Sequence, residues 1–407
     1  MNRKTRMKRI YLDYNATTPI CSAAINAMNE CFAKGYLNPS SQHRSGQIAR
    51  HVLEDDRDRM VRLLGARMGS SPDQLIFTSG GTEANNMALL GLVRPHRGPI
   101  LISSVEHPSV LGAGEELRRR GFSVISIPAN SDGIVSVDFI ANQCESNAPP
   151  QLISVMLANN ETGVLQPLDA IAALCAKHQI RLHTDATQML GKLPVSFQDL
   201  NVSAMSFAAH KFHGPIGIGG LLVRHGLAIR PLIFGGSQQL EKRPGTESVA
   251  LVAGMAAALA DCLQRQDQWI SDISELRNLL QQQLLETRLD VVINGHLAPR
   301  LPNTLNVAFP AIDRQALLLA LDLVGVECST GSACASGSSQ PSSVLSAMGL
   351  SDQIISSSIR ISLGSENTKA DIDDAAERII KCVNTLRQTK SLQKNTVSNS
   401  SRSENPL

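Results

Sequence analysis

Aromatic side chains and net charge are both scarce in this chain of 407 residues. Phe, Trp and Tyr make up 3% of it, so the core must be built from aliphatic side chains and methionine. The formal net charge of +2 gives no electrostatic reason to expect nucleic acid or an anionic membrane as a partner. No apolar run approaches the roughly 20 residues of a membrane-spanning helix. The composition predicts a soluble globular protein of two or three domains.

The eight cysteines form no C-x-x-C pair and no dense framework. Scattered cysteines in a chain of this size are typical of reduced thiols, so we expect a cytoplasmic protein. The start, MNRKTRMKRI, is basic but lacks the apolar stretch of a secretory signal. We expect an exposed terminus there, with a short organellar presequence as the alternative. Residues 391–407 are rich in Ser and Asn and predict a disordered tail.

Short apolar runs alternate with helix-like segments between about residues 75 and 225. The first run, near residues 75–78, leads through a glycine turn into a helix that opens around Thr82. In PLDAIAALCAKHQ, Leu168, Ile171, Ala172 and Cys175 have the i, i+3, i+4, i+7 spacing of one helix face. The alternation predicts an α/β fold with a mainly parallel sheet between helices.

The pattern changes after about residue 265, where QWISDISELRNLLQQQLLETRL predicts a long amphipathic helix. We expect a large domain over residues 21–265 and a smaller α+β domain formed by residues 1–20 with 266–390. The smaller domain contains the segment 327–339, ECSTGSACASGSS. Cys334 lies there among small and hydroxylated residues, an unusual place for a side chain that is ordinarily buried.

Each predicted strand is followed by polar residues or glycine. Ligands collect at the carboxyl ends of parallel strands, so we expect these residues to share one cleft. They are Gly80 to Thr82, His107, Asn159 to Glu161, Asp185, Gln188, His210 and Lys211.

Three groups in this cleft suggest a cofactor. SGGTEANN opens a helix with glycines, so backbone N–H groups and the Thr82 hydroxyl could bind a phosphate. Asp185 could hold a protonated ring nitrogen, and Lys211 could form a Schiff base with an aldehyde. Each has an ordinary alternative: a helix cap, a surface aspartate, and a lysine reaching solvent from a strand end. Together, and in this order, they are the groups that hold pyridoxal phosphate.

Other polar residues allow more than one interpretation. His107 could cap a helix, or it could stack on a cofactor ring and carry protons. Arg360, on the apolar strand of SSIRISLG, needs a carboxylate partner from the protein or the substrate, and we favour the substrate. A metal site is a weak alternative because its spacings match no strong zinc pattern. Its candidate ligands would be His183, Asp185, His210 and His213.

The chain resembles the cysteine desulfurases of the NifS/IscS type, in the class V aminotransferase group of fold-type I pyridoxal phosphate enzymes. The resemblance rests on nine stretches in family order from residue 11 to 364: YLDYNATTP, SGGTEANN, EHPSV, NNETG, HTDATQ, AHKFHGP, RPGT, STGSACASG and IRISLG. It implies that L-cysteine is converted to L-alanine. The sulfur would be held as a persulfide on Cys334 and passed to acceptor or scaffold proteins in iron–sulfur cluster assembly or thiolation.

The resemblance also implies a role for each matching residue. Lys211 would form the Schiff base, Asp185 would hold the pyridine nitrogen, and His107 would stack on the ring and relay protons. Arg360 would bind the substrate carboxylate, and Asn160 would lie near the substrate and the ring oxygen. The other implied cofactor ligands are Gly81, Thr82, Gln188, His210 and Thr246.

Thr246, in RPGT, resembles a residue that reaches the phosphate in a neighbouring subunit, which implies a homodimer with shared sites. Cys328 follows an apolar run and is expected to be structural. Three positions depart from the family pattern: Ala208 stands where a phosphate-binding serine is usual, Ile216 where lysine is usual, and Ser343 where histidine is frequent. The missing serine removes one phosphate hydrogen bond, worth about 1 kcal/mol.

Two alternatives to a desulfurase remain open. In a selenocysteine lyase or another class V lyase, Cys334 would be dispensable. In a non-catalytic assembly scaffold, the cofactor site itself would have decayed, and Ala208 would be an early sign of that decay.

Overall fold

The computed structural model describes residues 8–95, 97–331 and 340–400, with side chains to residue 389. The strands within these residues are β1 (Ile10–Tyr11), β2 (Gln74–Thr78), β3 (Ile100–Ser103), β4 (Val124–Ile127), β5 (Leu152–Ser154), β6 (Arg181–Asp185), β7 (Ala204–Ala208), β8 (Gly219–Val223), β9 (Val292–Ile293), β10 (Thr304–Ala308), β11 (Val326–Glu327) and β12 (Ser358–Ser362). The helices are α1 (Ser22–Lys34), α2 (Arg44–Leu63), α3 (Gly81–Leu92), α4 (Pro108–Arg119), α5 (Val137–Cys144), α6 (Leu168–His178), α7 (Phe197–Leu200), α8 (Gln238–Glu241), α9 (Val249–Gln264), α10 (Gln266–Leu285), α11 (Arg314–Leu323), α12 (Ser343–Ala347), α13 (Asp352–Ile355) and α14 (Lys369–Ser400).

A seven-stranded sheet, in the order β2-β8-β7-β6-β5-β3-β4, forms the centre of the fold. Strands β3 to β7 pair in parallel, which confirms the predicted mainly parallel sheet. Strand β8 runs antiparallel to both of its neighbours, β7 and β2. The reason is the short connection of residues 209–218, because a parallel return would need a longer crossover.

Both faces of this sheet are buried. Ile100 and Ile102 of β3 pack in one hydrophobic cluster with α3 and α4. Leu101, between them, packs in the opposite cluster with α6 and α9, as the two-residue period of a strand requires. The α6 residues chosen from their spacing, Leu168 to Cys175, all face this second cluster.

A second core surrounds the antiparallel sheet β12-β10-β9. It is packed by α10, α11 and α14, and it includes Ile10 and Leu12 from the start of the chain. The predicted long helix is α10, which follows α9 almost without a break. Val344, Leu345 and Met348 pack against the core of the seven-stranded sheet instead of this second core. The domain boundaries at residues 20 and 265 stay a prediction.

The end of the chain differs from the disordered tail predicted for residues 391–407. Helix α14 runs to Ser400, so residues 391–400 are helical. No Gly or Pro interrupts residues 369–400, and extending a helix that has already formed adds one hydrogen bond for each residue fixed. Residues 401–407 lie outside the described residues.

Residues 8–18 connect the two cores. Strand β1 pairs in parallel with β11. Asp13 then forms a parallel bridge to Ser362, the last residue of β12. The buried Tyr14 ring then lies directly over Gly364, where an added Cβ would be 2.0 Å from two ring carbons. This close approach requires glycine at position 364.

We predict that Gly364→Ala destabilises the protein by roughly 1–3 kcal/mol, because the buried Tyr14 ring must move to admit the methyl group. The control is Gly112→Ala in α4, where an added Cβ would have no atom within 4 Å. That change should be neutral or stabilising by up to about 1 kcal/mol from helix propensity. Urea unfolding measures the free energy of unfolding of both variants. Equal changes in that free energy at positions 364 and 112 would contradict the close contact between Tyr14 and Gly364.

Candidate active site

A cavity of about 190 Å³ opens at the carboxyl ends of the parallel strands. Nine residues predicted for the site line it: Gly81, Thr82, His107, Asn160, Asp185, Gln188, His210, Lys211 and Arg360. The sheet brings them together because each ends or follows a strand, apart from Arg360, which lies within β12. Thr246 is exposed and is not part of this lining. Cys334 lies outside the described residues.

Lys211 enters the cavity from a single 3-10 turn, Ala209–Lys211, that directly follows β7. Its Nζ donates hydrogen bonds to the backbone oxygens of Asn15 at 2.6 Å and Ala16 at 2.7 Å. The N-terminal segment therefore holds the lysine at one wall of the cavity. An amine in this position can reach an aldehyde within the cavity.

Asp185 ends β6 and is 5% exposed. Its Oδ2 accepts a hydrogen bond from Asn85 Nδ2 at 2.7 Å, and its Oδ1 accepts one from the Thr187 backbone N–H at 2.8 Å. These donors hold the carboxylate in one orientation at the cavity wall. A buried carboxylate of this kind is the partner that a protonated ring nitrogen needs.

His107 both caps a helix and lines the cavity, so the two interpretations of this residue are compatible. Its Nδ1 accepts a hydrogen bond from the Ser109 backbone N–H at 3.1 Å at the start of α4. Burial lowers the pKa of His107, an effect that the Asp185 charge opposes and the Lys211 charge reinforces. The ring is therefore mainly neutral near pH 7 and can stack on a flat cofactor while exchanging a proton.

The opposite end of the cavity suits an anion. Helix α3 begins at Gly81, its N-cap Gly80 offers no side-chain cap, and its first N–H groups open toward the cavity wall formed by Gly81 and Thr82. His210 lies here with its Nδ1 3.1 Å from the Thr17 hydroxyl, and burial, with a smaller effect of Lys211, lowers its pKa to about 4. Ala208, in place of the usual serine, also lines this end.

Arg360 is 1% exposed and has both protein and cavity contacts. Its Nη2 forms an ion pair with Asp13 Oδ1 at 2.6 Å, and its Nη1 donates to the backbone oxygens of Asn160 and Gly331. Its Nε has no hydrogen-bond partner among the described residues. The Asp13 carboxylate therefore pairs with part of the Arg360 guanidinium. Substrate binding by Arg360 stays a prediction.

Asn15 and Lys192 are residues of the site that sequence reasoning missed. Lys192 is 4% exposed, and its Nζ donates to Asn15 Oδ1 and Gln188 Oε1, both at 2.8 Å. Burial lowers the pKa of Lys192 well below its ordinary value, and the nearby Lys211 charge lowers it further. The stretch YLDYNATTP contained Asn15, but nothing in its pattern indicated contacts with residues far along the chain.

Glu106 is a second residue that sequence reasoning missed. It is fully buried next to the cavity, and its Oε1 accepts a hydrogen bond from the Met156 backbone N–H at 2.6 Å. Burial raises the pKa of Glu106 well above its ordinary value, and the Asp185 charge raises it further. Burial thus favours the protonated form of Glu106, which is bonded through Oε1, while its Oε2 has no hydrogen-bond partner among the described residues.

The histidines of the weak metal alternative have other partners. His183 is fully buried between the Ser154 and Ser206 hydroxyls, both at 2.9 Å, and burial lowers its pKa to about 4. His213 Nδ1 lies 2.9 Å from the Pro19 backbone oxygen. In the part of the chain that the structure describes, no group of three or more His, Cys, Asp or Glu side chains is placed to hold a metal ion.

The cavity fits pyridoxal phosphate by its donor set. It offers an amine, a fixed carboxylate and an anion-binding helix start around one space. Four buried polar atoms of its lining also have no hydrogen-bond partner among the described residues: Asn85 Oδ1, Asn160 Oδ1, Thr187 Oγ1 and Arg360 Nε. Unpaired buried polar atoms are costly, so their concentration here indicates a polar ligand.

The fold and the site define a fold-type I pyridoxal phosphate enzyme, and sequence comparison agrees. A sequence profile of the family described as Aminotransferase class-V matches residues 10–374, and the chain belongs to this family. Within it, the chain is 40% identical over 391 residues to the cysteine desulfurase IscS of Dictyoglomus turgidum, covering 94% of this chain and 98% of that protein.

Comparison with solved structures also finds NifS-like proteins among those similar to this chain. A NifS-like protein superposes with a TM-score of 0.84 at 32% identity, covering 93% of this chain and 100% of the other. A structure of SspA in complex with cysteine superposes with a TM-score of 0.74 at 30% identity, covering 87% of this chain and 98% of the other. These comparisons confirm the predicted family, fold class and cofactor dependence.

We predict that Glu106→Gln unfolds at a higher temperature than the wild type at pH 7.5 and at nearly the same temperature at about pH 4. Below the ordinary carboxyl pKa of about 4.3, Glu106 is protonated in both the folded and unfolded states. As pH rises from there toward the raised folded pKa, only the unfolded state ionises. Wild-type stability then falls by up to about 1.4 kcal/mol per pH unit relative to the variant.

Thermal unfolding of both proteins from pH 4 to 8 measures this difference. A gap between the two that stays constant over the whole range would show that Glu106 ionises alike in the folded and unfolded chains.

Proposed function

We infer that the chain is a pyridoxal-phosphate-dependent cysteine desulfurase, which converts L-cysteine to L-alanine and transfers the sulfur to an acceptor. The observation that carries this inference is the arrangement of Lys211, Asp185 and the start of α3 around one cavity. The chain that contains this cavity belongs to the class V aminotransferase family, and it matches proteins named cysteine desulfurase over most of its length.

In this function Lys211 would bind the aldehyde group of the cofactor, Asp185 would hold its pyridine nitrogen, and Gly81 and Thr82 would hold its phosphate; all four residues line the cavity. Bound pyridoxal phosphate withdraws electrons from cysteine and makes its sulfur open to attack by a thiolate. Gln188 donates to the Asn15 backbone oxygen and accepts from Lys192 Nζ, and from this position it would bond the ring oxygen of the cofactor. Their shared hydrogen bonds keep this edge of the site in one orientation.

Substrate recognition is assigned to Arg360 and Asn160. The unpaired Arg360 Nε and the unpaired Asn160 Oδ1 both belong to residues that line the cavity. A guanidinium donor binds a carboxylate, and an amide oxygen accepts from an ammonium group. The two side chains together suit the carboxylate and amino groups of L-cysteine.

Proton transfer is assigned to His107. Its lowered pKa leaves it mainly neutral near pH 7, so it can accept a proton from the substrate side of the cavity. Lys211 lies close enough to influence its charge, so the two groups can exchange roles as proton donor and acceptor.

Cys334 is the proposed sulfur acceptor within the chain. Two described residues on either side of residues 332–339, Gly331 and Ser342, are anchored by side chains near the cavity. The Gly331 backbone oxygen accepts from Arg360 Nη1 at 2.6 Å, and the Ser342 hydroxyl donates to Glu161 Oε2 at 2.6 Å. These contacts hold Gly331 and Ser342 near Arg360 and Glu161, and this supports the assignment of the sulfur acceptor to Cys334 between them.

Cys328 is a poor alternative nucleophile. It packs against the core of the smaller sheet, and burial raises the pKa of its thiol to about 12. Since the thiolate is the reactive form, Cys328 stays inert near pH 7.

A homodimer, acceptor proteins and a cytoplasmic location complete the proposal. Thr246 is exposed, so it is accessible to a neighbouring subunit. Large apolar side chains are exposed as well, with Ile216 at 75% and Phe234 at 84%. Over the described residues, none of the helices is both long and apolar enough to cross a bilayer.

The test of this function is the release of alanine and sulfide from L-cysteine in the presence of a thiol reductant. We predict that Cys334→Ala loses at least about 100-fold in rate, because no thiolate is left to take the sulfur. The variant should keep the visible absorption band of the bound cofactor. The control, Cys328→Ala, should retain activity within about threefold because that thiol stays protonated.

Equal activity in wild type and Cys334→Ala would replace the desulfurase with a lyase that releases sulfur directly, and selenocysteine should then be tested as substrate. A wild-type chain with neither activity nor a visible band would indicate a non-catalytic scaffold.

A further inference from the structure

The phosphate end of the cavity raises a question that the family pattern does not answer. Ala208 stands where a phosphate-binding serine is usual, and its methyl group can donate no hydrogen bond. A cofactor phosphate would then lack a side-chain donor from β7. Another hydroxyl close to Ala208 would restore that donor.

Thr187 provides a hydroxyl at this place. It follows Asp185 by two residues and lines the same cavity as Gly81 and Ala208. A Cβ added to Gly81 would lie 3.1 Å from Thr187 Oγ1 and 3.5 Å from the Ala208 Cβ. The hydroxyl, the alanine methyl group and the start of α3 therefore surround one small volume.

The Thr187 hydroxyl is also without a partner. Its Oγ1 is buried and forms no hydrogen bond with the described residues. The backbone N–H of the same residue is used, because it donates to Asp185 Oδ1 at 2.8 Å. That bond fixes the backbone of Thr187 and so fixes where its hydroxyl can reach. Burying an unpaired hydroxyl is unfavourable, so this one needs a polar ligand.

We propose that the Thr187 hydroxyl donates a hydrogen bond to the phosphate of pyridoxal phosphate and replaces the serine hydroxyl that is absent at Ala208. The proposal deepens the proposed function, on whose cofactor it rests. Glycine at position 81 leaves the space between the helix start and Thr187 open for phosphate oxygens, because an added methyl group would occupy it. Thr187 would thus bind Asp185 through its backbone N–H and the phosphate through its side-chain hydroxyl.

The experiment titrates cofactor back into the full chain after its removal, and follows the visible absorption band. A hydrogen bond to a charged acceptor is among the stronger ones, so Thr187→Val should weaken pyridoxal phosphate binding roughly 10-fold or more. Thr187→Ser, which keeps a hydroxyl, should stay within about threefold of wild type. Thr187→Ala removes the hydroxyl without adding bulk and serves if the valine variant does not fold.

Two further arms identify the phosphate as the group contacted. Pyridoxal, which has the aldehyde and ring but no phosphate, should bind wild type and Thr187→Val alike. Adding Ala208→Ser to Thr187→Val should recover most of the lost affinity, because it returns a hydroxyl to the same volume. A change in the ³¹P chemical shift between wild type and Thr187→Val gives a readout independent of activity.

Three results would overturn the proposal. Unchanged pyridoxal phosphate affinity in Thr187→Val would show that the hydroxyl does not contact the cofactor. Equal losses for pyridoxal and pyridoxal phosphate would show that the change acts through Asp185. Failure of the wild-type chain to take up pyridoxal phosphate at all would remove the proposed function together with this inference, and so is distinct from the other two.

Discussion

The structure of this site depends on Asn15, which bonds both lysines of the site and joins the smaller sheet to the cavity. Its backbone oxygen accepts from Lys211 Nζ and from Gln188 Nε2, and its Oδ1 accepts from Lys192 Nζ. Its Nδ2 donates to Thr304 Oγ1 at the start of β10, and its N–H donates to Ser362 Oγ at the end of β12. One asparagine thus fixes the position of the smaller sheet relative to the cofactor lysine.

The two lysines that contact Asn15, Lys192 and Lys211, differ in how deeply they are buried and in what surrounds them. Lys192 is buried with two neutral acceptors, and no ion pair to a carboxylate is found for it among the described residues, so its charged form is disfavoured. Lys211 is half-buried and lines the cavity. Burial is the main cause of the lowered pKa of Lys192, and the charges of Lys211 and Arg360 lower it further. Lys211 is therefore the amine placed to react with the cofactor. Lys192 holds the Asn15 and Gln188 side chains in place beside it.

Sequence patterns predicted the central parallel strands and eight of the lining residues because these depend on local order: an apolar run, then polar residues or glycine where the strand ends. Arg360, inside β12, was found instead because a guanidinium on an apolar strand needs a partner. The support of the site could not be predicted in this way. Lys192 and Asn15 are 177 residues apart, and no periodicity links them. Glu106 precedes the predicted His107, yet its importance comes from burial behind Asp185, which only the folded chain shows. For residues 391–400 the structure gives a helix where composition predicts a disordered tail, because composition does not register a helix that extends from packed residues.

The measurement that tests the account most directly is borohydride reduction of the cofactor-loaded chain, followed by digestion and mass spectrometry. Reduction converts the C=N bond between the cofactor and its lysine into a stable amine, which marks the residue. The account predicts the pyridoxyl group on Lys211, with Lys192 unmodified. A pyridoxyl group on Lys192, or on neither lysine, would contradict the assignment on which the site, the function and the role of Asn15 all depend.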